Sequence, residues 1–402
     1  IPLIALTADR PDKLRNRQAN QTIFQEGIFG EHLIGSTSLP SNPFDENYEK
    51  EFYKNLEDVL IRQKKKPGPI HVNAPIAEPF YLKENFKPEY KYFEKPELTQ
   101  KENDFSINDG IEKPFLVLGE LDYHFKSELK EIANKGIPIF TDVLSNSNLK
   151  EALIDDSVFT LNKAQLVPDV VFYAGKSLVS KKVRAYFDPN NVPLWYWGSE
   201  GMEVFGKLDK SVNVSLKTFL ESIAELNPNV DYADAWKKLI QKQSSGSTNL
   251  EEAWFKEILT HLPSNSLLHI GNSMPIRHLQ KYQYLLRDKN IRVYGNRGTS
   301  GVDGSISTSI GHAYADSEKP VFIIAGDYSF EYDKNALWNN HLPQNITIII
   351  LNNNGGRIFG KIEGPSDQPE FTDYFVHPFK LSAESLSQAH NLFYKKLNII
   401  ED

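Results

Sequence analysis

Two short runs of apolar residues in the last third of the chain constrain its fold most strongly. Residues 320–325 and 346–351 are rich in Ile and Val and almost free of polar side chains. Runs this short and this apolar predict strands that are buried on both faces, as in a parallel sheet. The segment between them is long enough for a crossover helix, which we predict over residues 332–340, ended by Leu342-Pro343. A right-handed crossover then makes the two strands parallel neighbours.

Polar residues follow both predicted strands at the point where each one ends. Asp327 comes after the first strand, and three asparagines followed by Gly355-Gly356 come after the second. Parallel strands bring these residues to one carboxyl edge, where open α/β sheets bind ligands. The Asp327 carboxylate, the Asn353 amide oxygen and the Gly355 carbonyl suit Mg²⁺, which usually also takes phosphate oxygens. A capped strand-end Asp and an ordinary Asn-Gly turn would explain either piece alone.

Composition excludes several classes of protein. A chain of 402 residues is too long for one core and predicts two or three domains. No apolar run approaches the ~20 residues that span a bilayer, and we expect a cytoplasmic globular protein. The absence of cysteine excludes disulfides, thiolate metal sites and a cysteine nucleophile. The net charge of −8 argues against general nucleic-acid binding.

Strand and helix patterns alternate along the chain, which predicts an α/β fold with three doubly wound parallel-sheet domains. The predicted divisions are a first domain at 1–90, a linker at 91–112, a central α/β domain at 113–245 and a third domain at 246–402. Because residue 1 already lies in a strand pattern and the end is equally abrupt, we expect the first and third domains to be incomplete.

A glycine-rich loop lies between a predicted strand at 291–294 and a helix of small residues at 305–315. It reads Gly298-x-x-Gly301-x-x-Gly304. Such a loop brings backbone N–H groups and a helix N-terminus to an anion, although a tight connection without a ligand would explain it equally well. Its position one strand before Asp327 favours a role facing a ligand.

Several cations stand near these loops. Arg297 lies at the mouth of the glycine-rich loop, and Arg277 lies four residues after Ser273, on the same face of the helix predicted to start there. Arginines in such positions suit bidentate recognition of carboxylates. Solvated surface charge is the alternative for these arginines, and also for Lys181-Lys182.

Six motifs occur in one order along the chain: TADRP at 7–11, ANQ at 19–21, GPIHVNAPIAEP at 68–79, GNS at 271–273, NRGTSGVDG at 296–304 and NNNGGRIF at 352–359. Together they resemble the 2-succinyl-5-enolpyruvyl-6-hydroxy-3-cyclohexene-1-carboxylate synthase family, thiamine-diphosphate enzymes of menaquinone biosynthesis. The resemblance is dense in the first and third regions and thin in the middle. One departure is Tyr328, since many thiamine-diphosphate enzymes have glycine after the motif aspartate.

The resemblance implies a transketolase-type transferase that decarboxylates 2-oxoglutarate on thiamine diphosphate and adds the resulting carbanion to isochorismate. It implies Mg²⁺, with Mn²⁺ as the alternative metal. Both substrates are dicarboxylates, so they require local cations in an otherwise acidic chain. The implied catalytic residues are Gln21, Ser273, Arg277 and Arg297, and the implied substrate-binding residues are Arg10, Lys181 and Lys182. The implied cofactor-binding residues are Gly301, Val302, Gly326, Ile358 and Phe359, and the implied metal ligands are Asp327, Asn353 and Gly355.

The family also uses a first-domain glutamate that generates the reactive form of thiamine, and we expect it upstream of Ile1. Family sites form between two subunits, which implies a homodimer or homotetramer, and we expect no turnover from the given chain alone. Two alternatives stay open. One is a different thiamine-diphosphate enzyme, such as a 2-oxo-acid decarboxylase or an acetolactate-type synthase. The other is a non-catalytic cofactor-binding or assembly module.

Overall fold

The computed structural model describes residues 2–11, 14, 17, 22–41, 47–76, 105–107, 110–121, 125–161, 164–198, 204–241, 250–361, 363–381 and 383–397. The chain divides into two compact units, Ile1–Glu97 and Leu98–Asp402. Within the described ranges, no helix combines the length and the apolar character that crossing a membrane requires. Gln21 and most of the predicted linker at 91–112 lie outside the described residues.

The first unit contains a three-stranded parallel sheet in the order β1-β3-β2. Its strands are β1 (Leu3–Asp9), β2 (Gly35–Ser38) and β3 (Pro69–Pro75), with helix α1 (Tyr48–Lys65) between the last two. Among its described residues, the buried core consists of Val59, Ile70 and Val72. The core is therefore small.

The second unit contains two parallel sheets, and the first of them has the order β5-β4-β6-β7-β8. Its strands are β4 (Pro114–Leu118), β5 (Ile139–Thr141), β6 (Val170–Ala174), β7 (Pro193–Trp197) and β8 (Lys207–Val212). Its helices are α2 (Lys126–Asn134), α3 (Lys181–Phe187), α4 (Leu216–Ala224) and α5 (Val230–Gln241). Every residue of β4 and β6 is buried, because separate apolar clusters cover the two faces of the sheet.

The other sheet of this unit has the order β10-β9-β11-β12 and is also wholly parallel. Its strands are β9 (Leu267–Ile270), β10 (Arg292–Gly295), β11 (Val321–Gly326) and β12 (Ile346–Leu351). Its helices are α6 (Leu250–His261), α7 (Met274–Tyr282), α8 (Ser305–Ala315), α9 (Asp327–Asp333) and α10 (Ala383–Ala389). The three parallel sheets confirm the predicted α/β class.

The predicted crossover helix at 332–340 was wrong in its bounds. Helix α9 starts directly at Asp327, and a 3₁₀ turn over Lys334–Leu337 completes the crossover. An aspartate in the first turn favours this early start, because its negative charge complements the helix dipole. Strand β8 was not predicted, since its charged sequence is typical of an exposed edge strand rather than a buried one.

Candidate functional site

The carboxyl ends of β11 and β12 meet around the side chain of Asp327. The two strands pair in parallel with Gly326 opposite Leu351, so the residues that follow them share one sheet edge. Asp327 is only 4% exposed. Its Oδ2 accepts a hydrogen bond from the Gly355 backbone N–H at 2.9 Å, and its Oδ1 accepts one from Tyr328 N–H at 2.8 Å. The carboxylate therefore joins the start of α9 to the glycine turn after β12.

Asn353 supplies an oxygen that the protein leaves unused. Its Oδ1 is buried and has no hydrogen-bond partner, which is a costly state for a polar atom unless a ligand compensates it. The Asn353 amide also interacts with Glu251. The pKa of the Glu251 carboxyl is lowered mainly by its hydrogen bond to His278, at 3.0 Å, and further by the charge of Lys361 and by Asn353, against the effect of burial.

The turn after β12 requires glycine at two positions. Gly355 has φ +119°, and a Cβ on it would lie 2.4 Å from the Val376 carbonyl oxygen. A Cβ on Gly356 would lie 2.6 Å from the Phe375 carbonyl oxygen. The Gly356 N–H donates to the Val376 carbonyl at 2.7 Å, and the Gly355 carbonyl accepts from Arg357 N–H at 2.8 Å. The turn is thus pressed against a π-helical segment, Phe371–Val376.

Tyr328, the residue that departs from the family pattern, anchors the same segment. Its hydroxyl lies 3.2 Å from the Val376 carbonyl oxygen and 3.1 Å from that of His377. Its ring packs on Phe379 with a centroid distance of 5.1 Å. The larger side chain after the aspartate therefore holds the backbone that covers the glycine turn.

The donor set fits a divalent cation. A buried carboxylate, a buried amide oxygen without a partner and a turn carbonyl with a second lone pair are hard oxygen donors at one sheet edge. Gly326, the last residue of β11, has open space where a Cβ would stand, so a ligand can approach the backbone there.

The glycine-rich loop is tied to the end of β9 by Asn272. This buried side chain accepts from Arg297 and donates to the carbonyls of Asn296 and Gly301. Val302, next along the loop, is half-buried. The GNS motif did not indicate a role for Asn272, although a polar residue directly after a buried strand was an available signal.

Ser273 and Arg277 are brought together at the start of α7. Ser273 has φ 72° and ψ −125°, a backbone conformation that non-glycine residues rarely adopt. Arg277 Nη1 donates to the Ser273 carbonyl at 2.5 Å. Strain of this kind persists where the surrounding structure enforces it, commonly at a functional site.

Arg297 connects the two sheets of the second unit. Its Nε donates to Ser177 Oγ at 3.3 Å, in the loop after β6, and its Nη1 donates to Asn272 Oδ1 at 2.7 Å. Burial lowers the pKa of Arg297, while the neighbouring Asp142 opposes that shift. Arg297 is half-buried and keeps further N–H donors for a ligand.

Lys181 and Lys182 form the first turn of α3, which Ser180 caps by accepting from Val183 N–H at 3.3 Å. Lys182 Nζ pairs with Asp156 Oδ1 at 2.9 Å, whereas the side chain of Lys181 is exposed. Ile358 and Phe359 are half-buried in a 3₁₀ turn, Arg357–Lys361, and Phe359 packs on the ring of Phe375. Arg10 follows β1 in the first unit.

Curated relatives align with almost the whole chain, although no family model matches it. A protein of Cytophaga hutchinsonii is 33% identical over 430 residues, covering 99% of this chain and 76% of the relative. Proteins of Flavobacterium psychrophilum and Christiangramia forsetii are 32% and 31% identical, over 98% and 100% of this chain and 75% and 77% of their own lengths. All three are named 2-succinyl-5-enolpyruvyl-6-hydroxy-3-cyclohexene-1-carboxylate synthase.

Proposed function

The chain belongs to the 2-succinyl-5-enolpyruvyl-6-hydroxy-3-cyclohexene-1-carboxylate synthase family, and from this we propose which of its residues hold the cofactor and the substrates. It is a synthase of the menaquinone pathway that depends on thiamine diphosphate. The reaction is decarboxylation of 2-oxoglutarate and transfer of its succinyl remainder to isochorismate. The residue assignments rest on one observation at the sheet edge after β11 and β12. There Asp327 accepts a hydrogen bond from the Gly355 N–H, and the buried Asn353 Oδ1 has no partner.

The metal assignment is Asp327, Asn353 and the Gly355 carbonyl as ligands of Mg²⁺, which holds the cofactor diphosphate. Mn²⁺ accepts the same oxygen donors and is the alternative metal. When bound, thiamine diphosphate supplies the electron sink for decarboxylation. Gly326 and Gly301 allow close approach of backbone to the cofactor, and the apolar side chains of Val302, Ile358 and Phe359 line its non-polar side.

The substrate carboxylates are assigned to the cations near this edge. Arg297, held by two neutral acceptors, keeps its positive charge for a carboxylate of 2-oxoglutarate. Arg277 and Ser273 lie at the α7 N-terminus, where an anion is stabilised. Arg10, Gln21 and Lys181 complete the set. Lys182 joins it only when its pair with Asp156 opens.

The assembly follows the family pattern in this proposal. The enzyme is a cytoplasmic homodimer or homotetramer, with sites built from the first domain of one subunit and the third domain of another. Its domains are those predicted at 1–90, 113–245 and 246–402. Its chemistry places it among transferases of the transketolase type.

Two measurements test the proposal. The full-length gene product, with thiamine diphosphate and Mg²⁺, is expected to consume 2-oxoglutarate and to form the adduct only when isochorismate is added. Turnover of pyruvate but not of 2-oxoglutarate would instead indicate a different thiamine-diphosphate enzyme.

Calorimetry tests the metal ligands separately. Asp327→Ala is expected to weaken binding of Mg²⁺ and thiamine diphosphate by at least about tenfold, because a charged hard ligand is lost. Asp333→Ala is the matched control: it removes another buried carboxylate of α9, whose Oδ2 accepts from Ser307 N–H and Oγ–H. Equal binding by wild type and Asp327→Ala would remove the metal assignment.

A further inference from the structure

We propose that Asn272 is a positioning residue that aims Arg297 and fixes the glycine-rich loop at the same time, through one side-chain amide. This inference deepens the proposed function and rests on it for the identity of the ligands. In this proposal Asn272 acts through Arg297 and the loop, which are the groups assigned to the ligands.

Both the oxygen and the NH₂ group of the Asn272 side chain are hydrogen-bonded within the protein. The side chain is 2% exposed. Its Oδ1 accepts from Arg297 Nη1 at 2.7 Å, and its Nδ2 donates to the Asn296 carbonyl at 2.8 Å and to the Gly301 carbonyl at 2.7 Å. Both N–H bonds of the amide are used, so the orientation of the group is determined.

The backbone that carries Asn272 is itself held firmly. Gly271 passes so close to β11 that a Cβ on it would lie 3.1 Å from Ala325 Cα. The Gly271 N–H donates to the Ile324 carbonyl at 2.8 Å. Asn272 therefore projects from a rigid strand end, as a positioning group must.

In the glycine-rich loop, by contrast, two of the glycines have open space beside them. A Cβ at Gly298 or Gly301 would meet no heavy atom within 4 Å. The carbonyls of the loop are bound instead: Gly301 by Asn272, and Gly304 by Asn296 Nδ2 at 2.9 Å. Without the Asn272 donors, the Gly301 carbonyl would lose this bond, and the segment that holds Val302 against the cofactor would be less firmly fixed.

The chemistry of Arg297 explains why an amide suits this position better than a carboxylate. A neutral oxygen orients the guanidinium and leaves its charge available to an anionic substrate. A carboxylate at the same place would pair with Arg297 and compete with the substrate for it. The second acceptor on Arg297, Ser177 Oγ at 3.3 Å, is also neutral.

Asn272→Asp and Asn272→Ser change the amide in two different ways. Asp keeps an acceptor for Arg297 but neutralises it and loses both donors, and Ser is too short to reach either partner. In the full-length holoenzyme we expect both variants to raise the KM for 2-oxoglutarate and the Kd for thiamine diphosphate by about tenfold or more. The KM effect is expected to be larger for Asp.

Asn146 offers a matched control. It is 8% exposed, and its amide also bonds to backbone groups, donating to the Leu144 and Val293 carbonyls and accepting from Val293 N–H. Asn146→Asp and Asn146→Ser are expected to lower thermal stability while leaving the KM and the Kd within about twofold of wild type, since Asn146 binds neither Arg297 nor the loop at Gly301.

Four outcomes distinguish this inference from the proposed function. Selective shifts in the Asn272 variants support the inference. Loss of stability without a change in KM or Kd, or equal shifts in the Asn146 variants, would overturn it. Failure of the wild-type enzyme to consume 2-oxoglutarate would count against the proposed function instead.

Discussion

The carboxyl group of Asp142 fixes the loop that contacts Arg297. Asp142 follows β5 and is fully buried. Its Oδ2 accepts from Val179 N–H at 2.6 Å and its Oδ1 from Leu144 N–H at 3.0 Å. Burial raises the pKa of Asp142 to about 6, although these two bonds and the charge of Arg297 oppose the shift. The loop it holds includes Ser177 and leads into α3.

This pKa predicts a pH dependence of stability at the residue scale. The pKa is above the ordinary value of 3.8 for an aspartate, so the folded state binds more protons than the unfolded state between pH 3.8 and about 6. The Asp142 contribution therefore falls as pH rises through that window. Relative to Asp142→Asn, we expect the free energy of unfolding of wild type to fall by about 2 kcal/mol from pH 4 to pH 6, and to level off above about pH 7.

Urea unfolding of both proteins at a series of pH values measures the difference directly. The Asn variant serves as the reference because it keeps one acceptor oxygen and cannot titrate. A difference that is constant across this window, or that grows with pH, would contradict the prediction.

At the scale of elements, helix α7 links the site to the neighbouring sheet. Its first turn carries Arg277, and its last turn carries the buried Gln280. Gln280 Oε1 accepts from Val143 N–H at 2.7 Å, and its Nε2 donates to the carbonyls of Thr141 and Ile154, each at 3.0 Å. The orientation of α7 is thus set by backbone groups beside β5.

Gln280→Met tests this link, because methionine fills a similar volume but removes all three of these hydrogen bonds. We expect the free energy of unfolding to drop by about 2–4 kcal/mol, since the groups are buried. Gln63→Met is the control: Gln63 Nε2 also donates to two carbonyls, of Leu3 and Gly68, but water can replace those more exposed bonds. If both substitutions lowered the free energy of unfolding equally, burial of the hydrogen bonds would not explain the loss, and the prediction would be wrong.

At the scale of the whole molecule, apolar burial is uneven. In the described part of the first unit, Val59, Ile70 and Val72 form the buried cluster, and Leu3, Ile4 and Leu6 of β1 are at least half exposed. The sheets of the second unit are enclosed by several larger clusters. Because apolar burial dominates folding free energy, the described part of the first unit has less stabilisation of its own than the described part of the second.

Hydrogen exchange of the given chain should report this difference. We expect the amides of β3 to exchange at least about 100-fold faster than those of β4 and β6, because a less stable unit opens more often. The three strands are measured in the same sample, so differences in solvent conditions cannot explain a difference in their exchange rates. Equal protection of the three strands would mean that the chain opens as one cooperative whole.

The sequence predicted well what depends on local pattern. Runs of Ile and Val indicated parallel strands at 320–325 and 346–351, and a right-handed crossover placed their polar ends at one edge, where the structure puts Asp327 beside Gly355. The prediction that both strands are buried on both faces was wrong for β12, which has no buried residue because it lies at the edge of its sheet. The start of α9 was misplaced, because helical periodicity does not reveal that an aspartate at a strand end can begin a helix at once.

The groups that hold the site in shape could not be predicted in this way. Asp142, Asn272 and Gln280 act through bonds to residues 37, 25 and 137 positions away in the chain. Residue type and spacing were therefore enough to identify the oxygen atoms that could bind a magnesium ion, because those atoms lie in short motifs at the strand ends. Only the tertiary structure decides which buried amides and carboxylates orient those atoms, because the long-range contacts concerned exist only when the sheets are packed together.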